Sequence, residues 1–132
     1  MSKTDNFKLF NKNYFELLSF LKDKSNDNKE YIKFYNKNLL IKKTNIKYLI
    51  KCWYVNVTTI YYEQIMSGDI SFFLQKDYDE DKKQISEEYV DSFEKSIIFL
   101  KSIYETLDPE LLNIFIEYIK NITYYSYLYY KK

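Results

Sequence analysis

The sequence predicts a single all-α domain, spanning residues 1–132, of five or six helices packed in an orthogonal or bundle-like arrangement. Apolar residues recur at spacings of three and four along most of the chain, which is the pattern of amphipathic helices. The 132 residues include one Gly and one Pro, so few positions interrupt a helix. Hydrophobic residues at 46% and aromatic residues at 20% are enough for a core that needs no disulfide or metal.

The first predicted helix begins at Thr4 or Asp5, since either side chain can cap it, and ends before the polar run at residues 25–28. A second helix is predicted from about Glu30 to Ile41. The apolar stripe of the first helix contains Phe7, Phe10, Tyr14, Leu17, Leu18 and Leu21.

A third helix is predicted after Thr44 and Asn45, which we interpret as its cap. The β-branched and aromatic residues between Trp53 and Tyr62 favour a strand. The helical spacing outweighs this preference, because the chain offers no second strand for pairing. Gly68 is predicted to close the helix in a left-handed conformation.

The following segment is predicted to contain a short helix at residues 70–76, an acidic loop at residues 77–81 and a long helix from about Glu87 to Leu107. We expect the long helix to be the centre of the core. Its apolar stripe includes Phe93, Ile97 and Leu100.

The last predicted helix begins with Asp108 as cap and Pro109 in the first turn, and runs past Ile122. Its end carries more aromatic rings than one helical stripe can bury. We therefore expect residues 124–132 to be a mobile tail or a segment that docks on a partner. The predicted interface residues are Tyr124, Tyr125, Tyr127, Tyr129 and Tyr130.

The composition argues against an enzyme. The chain has no His and no Arg, so it has neither an imidazole base nor a bidentate phosphate ligand. A single Gly does not build a glycine-rich phosphate loop. Cys52 lies in an apolar run, and we interpret it as a buried, inert thiol. We expect no catalytic residues, no cofactor and no small-molecule substrate.

The acidic loop partly matches a calcium-binding loop of the EF-hand type. Asp77, Asp79, Asp81 and Glu88 occupy the first, third, fifth and twelfth positions of such a loop. Lys82 stands where the motif requires a glycine, and its charge opposes a cation. We therefore interpret these residues as a solvated acidic loop, and we expect no metal.

The first half of the chain is rich in lysines, with aromatic residues between them. Such a mixture is typical of surfaces that bind nucleic-acid backbones and stacked bases. A chain rich in A/T-codon residues also acquires surface lysines without any such role, so both interpretations stay open. The candidate contacts are Lys33, Lys37, Lys43, Lys47 and Lys51, of which the last three step by four residues and are expected on one helix face.

The stretch IMSGDISFFLQKDY at residues 65–78 and the stretch FIEYIKNIT at residues 115–123, followed by Tyr127, resemble elements of short helical proteins from nucleocytoplasmic large DNA viruses. The similarity covers roughly residues 53–127. It implies no established activity and no site residues. It implies a viral protein located in the host cytoplasm, the viral factory or the virion.

The leading functional hypothesis is a non-enzymatic viral protein that acts through protein–protein contacts or self-association, in the virion or in its assembly. One alternative is a lysine-rich accessory protein that binds nucleic acid. Another is a decoy for host signalling proteins, which would need an apolar groove for a partner helix. No run of about 20 apolar residues exists, so no membrane span is expected.

Overall fold

The computed structural model describes residues 2–25, 28–69 and 107–131. Within these ranges all regular secondary structure is helical and no strand occurs, which confirms the predicted fold class. The predicted helices at 70–76 and 87–107 lie outside the described residues, and so does the acidic loop. The total of five or six helices and their orthogonal or bundle-like arrangement therefore stay predictions.

Helix α1 spans Lys3–Asp23 and begins with a capping box. The Ser2 hydroxyl accepts a hydrogen bond from the Asp5 backbone N–H at 3.1 Å, and the Asp5 carboxylate accepts one from the Ser2 N–H at 3.4 Å. The cap is thus Ser2, whereas Thr4 or Asp5 was predicted. Asp5 lies in the first turn of α1, where its carboxylate accepts from the backbone N–H of the capping residue Ser2, and it is not the cap itself.

Helix α2 spans Lys29–Thr44, and the Asn28 side chain caps it by accepting from the Tyr31 N–H at 2.9 Å. The helix continues three residues beyond the predicted end and stops at Asn45, whose φ of −157° and ψ of 65° are not helical. Thr44 is therefore the last residue of α2. It does not cap the following helix, because its hydroxyl donates back to the Leu40 carbonyl at 2.9 Å.

The third helix is continuous from residue 47 to residue 66 but changes its hydrogen-bonding pattern in the middle. It consists of α3 (Lys47–Trp53), a π-helical segment (Tyr54–Thr58) and α4 (Thr59–Met66). Gly68 closes it with φ of 93°, as predicted. The Gly68 and Asp69 N–H groups donate to the Ile65 and Gln64 carbonyls, which is the Schellman arrangement.

Helix α5 spans Pro109–Tyr130. The Asp108 carboxylate accepts from the Leu111 N–H at 2.9 Å and Pro109 occupies the first turn, as predicted. The helix packs along α1 and also contacts α3, the π-helical segment and α4. If the continuous helix at residues 47–66 is counted as one, the described residues form four helices. Helix α5 contacts at least two of the other three.

The core of the described residues is apolar and draws on every helix. Its central side chains are close to fully buried because α1, α5 and the 47–66 helix enclose them from different sides. The tightly packed members include Phe10, Leu21, Ile50, Ile65, Phe115 and Ile122. Among the described helices, none is long and apolar enough to cross a membrane.

Candidate protein interface on the last helix

Hydroxyl groups join α5 to the π-helical segment inside the core. The Ser126 hydroxyl donates to the Thr123 carbonyl at 2.8 Å, so the Thr58 hydroxyl, 2.6 Å from the Ser126 Oγ, is the donor to it. The Trp53 Nε1–H donates to the Thr123 Oγ1 at 3.0 Å. Thr123 and Ser126 are both 0% exposed. This buried hydroxyl seam therefore fixes the last turns of α5 against residues 53–58.

Four of the five C-terminal tyrosines pack on other parts of the same domain. Tyr130 stacks on Tyr54 with ring centroids 4.3 Å apart, and Tyr127 stacks on Tyr62 at 4.5 Å. Tyr129 lies 5.7 Å from Phe7, and Tyr125 packs against the core.

Residues 124–130 are therefore the last turns of α5 and not a separate tail. The sequence predicts more rings than the domain can cover. This prediction did not take into account that Tyr54 and Tyr62, on the 47–66 helix, stack on two of them. Tyr124 differs from the other four, since 39% of it is exposed.

The outer face of α5 combines this exposed ring with an apolar groove. Ile114 is 40% exposed, and on a helix of 3.6 residues per turn it lies about 80° from Tyr124 and about 40° from the half-buried Leu128, so all three lie on the outer half of α5. The groove has a volume of about 260 Å³. It is lined by Asn113, Ile114, Glu117, Tyr118 and Asn121.

Sequence reasoning missed Ile114, because it falls beside the buried stripe of α5 and was not counted as part of any surface. A helical wheel of residues 109–130 would have placed it about 100° from Phe115, at the edge of the exposed side. The groove beside it is not visible in the sequence, since its depth depends on how neighbouring side chains pack.

The charges of α5 are divided along its length. Asp108, Glu110 and Glu117 lie in the first half, and Lys120 and Lys131 in the second. Glu117 and Lys120 form a salt bridge at 3.5 Å across one turn. The outer face is therefore acidic towards its start and basic towards its end.

Two tyrosines at or beside the end of α5, Tyr130 and Tyr62, have raised pKa values. Partial burial raises the pKa of Tyr62, and the neighbouring Tyr127 and Tyr124 phenols raise it further. Burial likewise raises the pKa of Tyr130, with smaller effects from Tyr129, Cys52 and Tyr54. Tyrosine is uncharged at neutral pH in any case, and these shifts extend the neutral form of both phenols to more alkaline pH.

A second, larger groove of about 630 Å³ runs beside α1. Burial raises the pKa of Tyr118 at its edge, and the charge of Glu16 and a hydrogen bond with Glu16 add to this. Its lining carries two cationic and two anionic side chains, Lys12, Lys42, Glu16 and Asp23, beside Phe15 and Phe20. This charged lining differs from the apolar groove that the decoy hypothesis requires.

The predicted nucleic-acid lysines are divided between two helices. Lys33 and Lys43 are exposed on α2, Lys47 and Lys51 are exposed on α3, and Lys37 is half-buried. The prediction that Lys43, Lys47 and Lys51 share one helix face is wrong, because Asn45 interrupts the helix between them.

The aromatic residues among these lysines are not free to stack on bases. Tyr31 is 1% exposed and donates to the Leu18 carbonyl at 2.6 Å, and Phe34, Tyr48 and Tyr54 are half-buried. This part of the chain therefore offers exposed cationic groups to a nucleic acid, but none of these four rings is fully exposed.

The remaining sequence candidates contribute little to this site. The calcium-loop residues Asp77, Asp79, Asp81 and Glu88 lie outside the described residues. Within the described ranges, no cluster of three potential metal ligands occurs. Burial raises the pKa of the Cys52 thiol, against smaller opposing effects of a hydrogen bond with Tyr48 and the charge of Lys51.

Comparison with known proteins gives no relative for this arrangement of helices. No protein-family model, no curated protein and no solved structure matches the chain.

Proposed function

We propose that the chain is a non-enzymatic protein-interaction module that self-associates through the outer face of α5. The observation that carries the proposal is the pairing, on one helix face, of an exposed ring at Tyr124 with an apolar groove at Ile114. Tyrosine is enriched among the residues that dominate binding energy at interfaces, and such residues insert into pockets of this kind.

The spacing of the two features suits an antiparallel pair of α5 helices. Tyr124 follows Ile114 by ten residues, which is about 15 Å along a helix. With a two-fold axis beside residue 119, Tyr124 of each copy meets the Ile114 groove of the other. Such an isologous contact uses the same patch twice and closes at a dimer.

The charges of α5 favour the same orientation. In an antiparallel pair, Lys131 of one copy approaches Asp108 of the other, and Glu117 lies opposite Asn121. A parallel pair would instead align acids with acids and lysines with lysines, which is unfavourable.

The direct test is the oligomeric state, measured by sedimentation velocity across a wide concentration range. We expect the wild-type chain to shift from monomer to dimer as concentration rises, and Ile114→Lys and Tyr124→Ala to stay monomeric. Ile60→Lys is the matched control, because Ile60 is 48% exposed but lies on α4. Circular dichroism checks that each variant is folded.

A wild-type chain that stays monomeric throughout contradicts the proposal. An Ile60→Lys variant that dissociates as completely as Ile114→Lys also contradicts it, because the contact would then not lie on α5. The viral setting of this role, in a virion or in its assembly, rests on the sequence resemblance alone.

A further inference from the structure

Helix α2 presents a basic face to solvent. Five of its exposed residues follow spacings of four and three, so these five lie on one side of the helix, opposite the buried Tyr31, Asn38 and Ile41. This face consists of Lys29, Lys33, Asn36, Leu40 and Lys43. Lys47 and Lys51, which are exposed one turn apart on α3, extend the basic region beyond Asn45.

The region has one acidic residue, Glu30, which directly follows Lys29 at its start. From residue 31 to residue 62 the sequence contains six Lys and neither Asp nor Glu. Among the described residues, none forms a salt bridge with Lys29, Lys33, Lys43, Lys47 or Lys51.

Lysines elsewhere differ in this respect. The ammonium groups of Lys3, Lys22 and Lys42 each lie within 5 Å of a ring centroid, so these side chains are already in contact with the domain. The five lysines above have no such ring among the described residues.

We propose that Lys29, Lys33, Lys43, Lys47 and Lys51 bind the phosphate backbone of double-stranded nucleic acid without sequence preference. Clustered, unneutralised lysines release counterions when they meet closely spaced phosphates, and this release drives such binding. The chain has no Arg, so it lacks the planar guanidinium fork that binds the O6 and N7 atoms of guanine in the major groove. The proposal is independent of self-association, since it uses no residue of α5.

A membrane surface is the less suitable polyanion. A helix that lies on a bilayer buries its apolar face among the lipids. The apolar face of α2 is already in the protein core, where Tyr31 and Ile41 are buried, and Leu40 is the only apolar residue on the basic face. Single strands are also less suitable, because they are held by stacking on exposed rings, and the rings here are buried or half-buried.

The test is fluorescence anisotropy of a labelled DNA duplex of about 20 base pairs, titrated with the full chain between about 50 and 200 mM salt. Four to five phosphate contacts predict a logarithmic salt slope of about −4, so affinity should fall on the order of 100-fold over this range. The double variant Lys33→Gln/Lys43→Gln should reduce the slope by about 2, since each lost contact removes roughly 0.9.

The matched control is Lys8→Gln/Lys12→Gln, which removes two exposed lysines from α1 and should leave the slope unchanged. Three results would overturn the proposal. One is the absence of duplex binding at the lowest salt. This result would count against the proposal even if the chain bound vesicles of anionic phosphatidylserine in a parallel measurement. Another is an equal loss in the α1 control. The third is a preference for single strands with little dependence on salt.

Discussion

The Thr58 hydroxyl donates a hydrogen bond of 2.6 Å to the Ser126 hydroxyl in the core, across 68 residues of sequence. Ser126→Ala should leave the Thr58 hydroxyl buried without this acceptor and lower the free energy of unfolding by about 1–3 kcal/mol. Chemical denaturation measures the change. The double variant Thr58→Val/Ser126→Ala should lose less than the sum of the two single variants, because both partners are then removed. Additive losses would show that the two hydroxyls are not coupled.

Removing residues 124–132 should unfold or strongly destabilise the domain. The truncation deletes Ser126, which is fully buried, and Tyr129 and Tyr130, which pack on Phe7 and Tyr54. Thermal unfolding followed by circular dichroism measures the effect. Deleting residues 131–132 alone is the control and should change little, since Lys131 is exposed. A stable protein lacking residues 124–132 would show that these turns do not belong to the core.

Neighbouring positions on α5 should respond very differently to truncation of the side chain. Phe115 is fully buried, so Phe115→Ala should cost about 3–5 kcal/mol of stability through lost burial and a cavity. Ile114 is 40% exposed, and Ile114→Ala should change the stability of the monomer by about 0.5 kcal/mol or less. Urea denaturation at a concentration where the chain is monomeric compares the two. Similar losses at both positions would mean that the face of α5 is wrongly assigned.

Stability should fall at alkaline pH because of two buried phenols. Burial is the main cause that raises the pKa of Tyr14 and of Tyr31 in the folded state, and each phenol lies near another tyrosine or Cys52. An unfolded tyrosine ionises near pH 10. Above that pH the unfolded chain binds fewer protons than the folded one, so stability is lost as pH rises, and it is fully present below pH of about 10.

The substitution Tyr31→Phe tests this dependence. It removes the hydrogen bond to the Leu18 carbonyl at 2.6 Å and one buried phenol, so the variant should be less stable at neutral pH but lose stability less steeply above pH of about 10. Tyr124→Phe, at a partly exposed ring, is the control and should keep the wild-type steepness. Urea denaturation at several pH values provides the comparison, and an unchanged slope in Tyr31→Phe would contradict the assignment.

Local signals in the sequence were sufficient where a few adjacent residues determine the backbone. Asp108 and Pro109 start α5 as predicted, and Gly68 ends α4, because a cap or a left-handed turn depends on the residues that form it. A break between the second and third helices was predicted at this point, but Thr44 belongs to the end of α2 and does not cap the third helix.

Relationships between distant segments were not predictable in this way. Five tyrosines at the end of α5 exceed what one helical stripe buries, yet Tyr54 and Tyr62 stack on two of them from a helix more than 60 residues earlier. The lysines show a second kind of error. Residues spaced by four lie on one face only if they belong to the same uninterrupted helix. Counting from Lys43 to Lys51 crossed the interruption at Asn45.

The π-helical segment sets the rotation of everything that follows it in the third helix. A π turn places one more residue in each hydrogen-bonded loop than an α turn does, and one residue corresponds to about 100° around the axis. Deleting one residue between Tyr54 and Thr58 and restoring regular α-helix would swing Tyr62 a quarter-turn away from Tyr127. The π-helical segment thus rotates α4 relative to α3. With this rotation, Thr58 and Tyr62 both face α5, where they contact Ser126 and Tyr127.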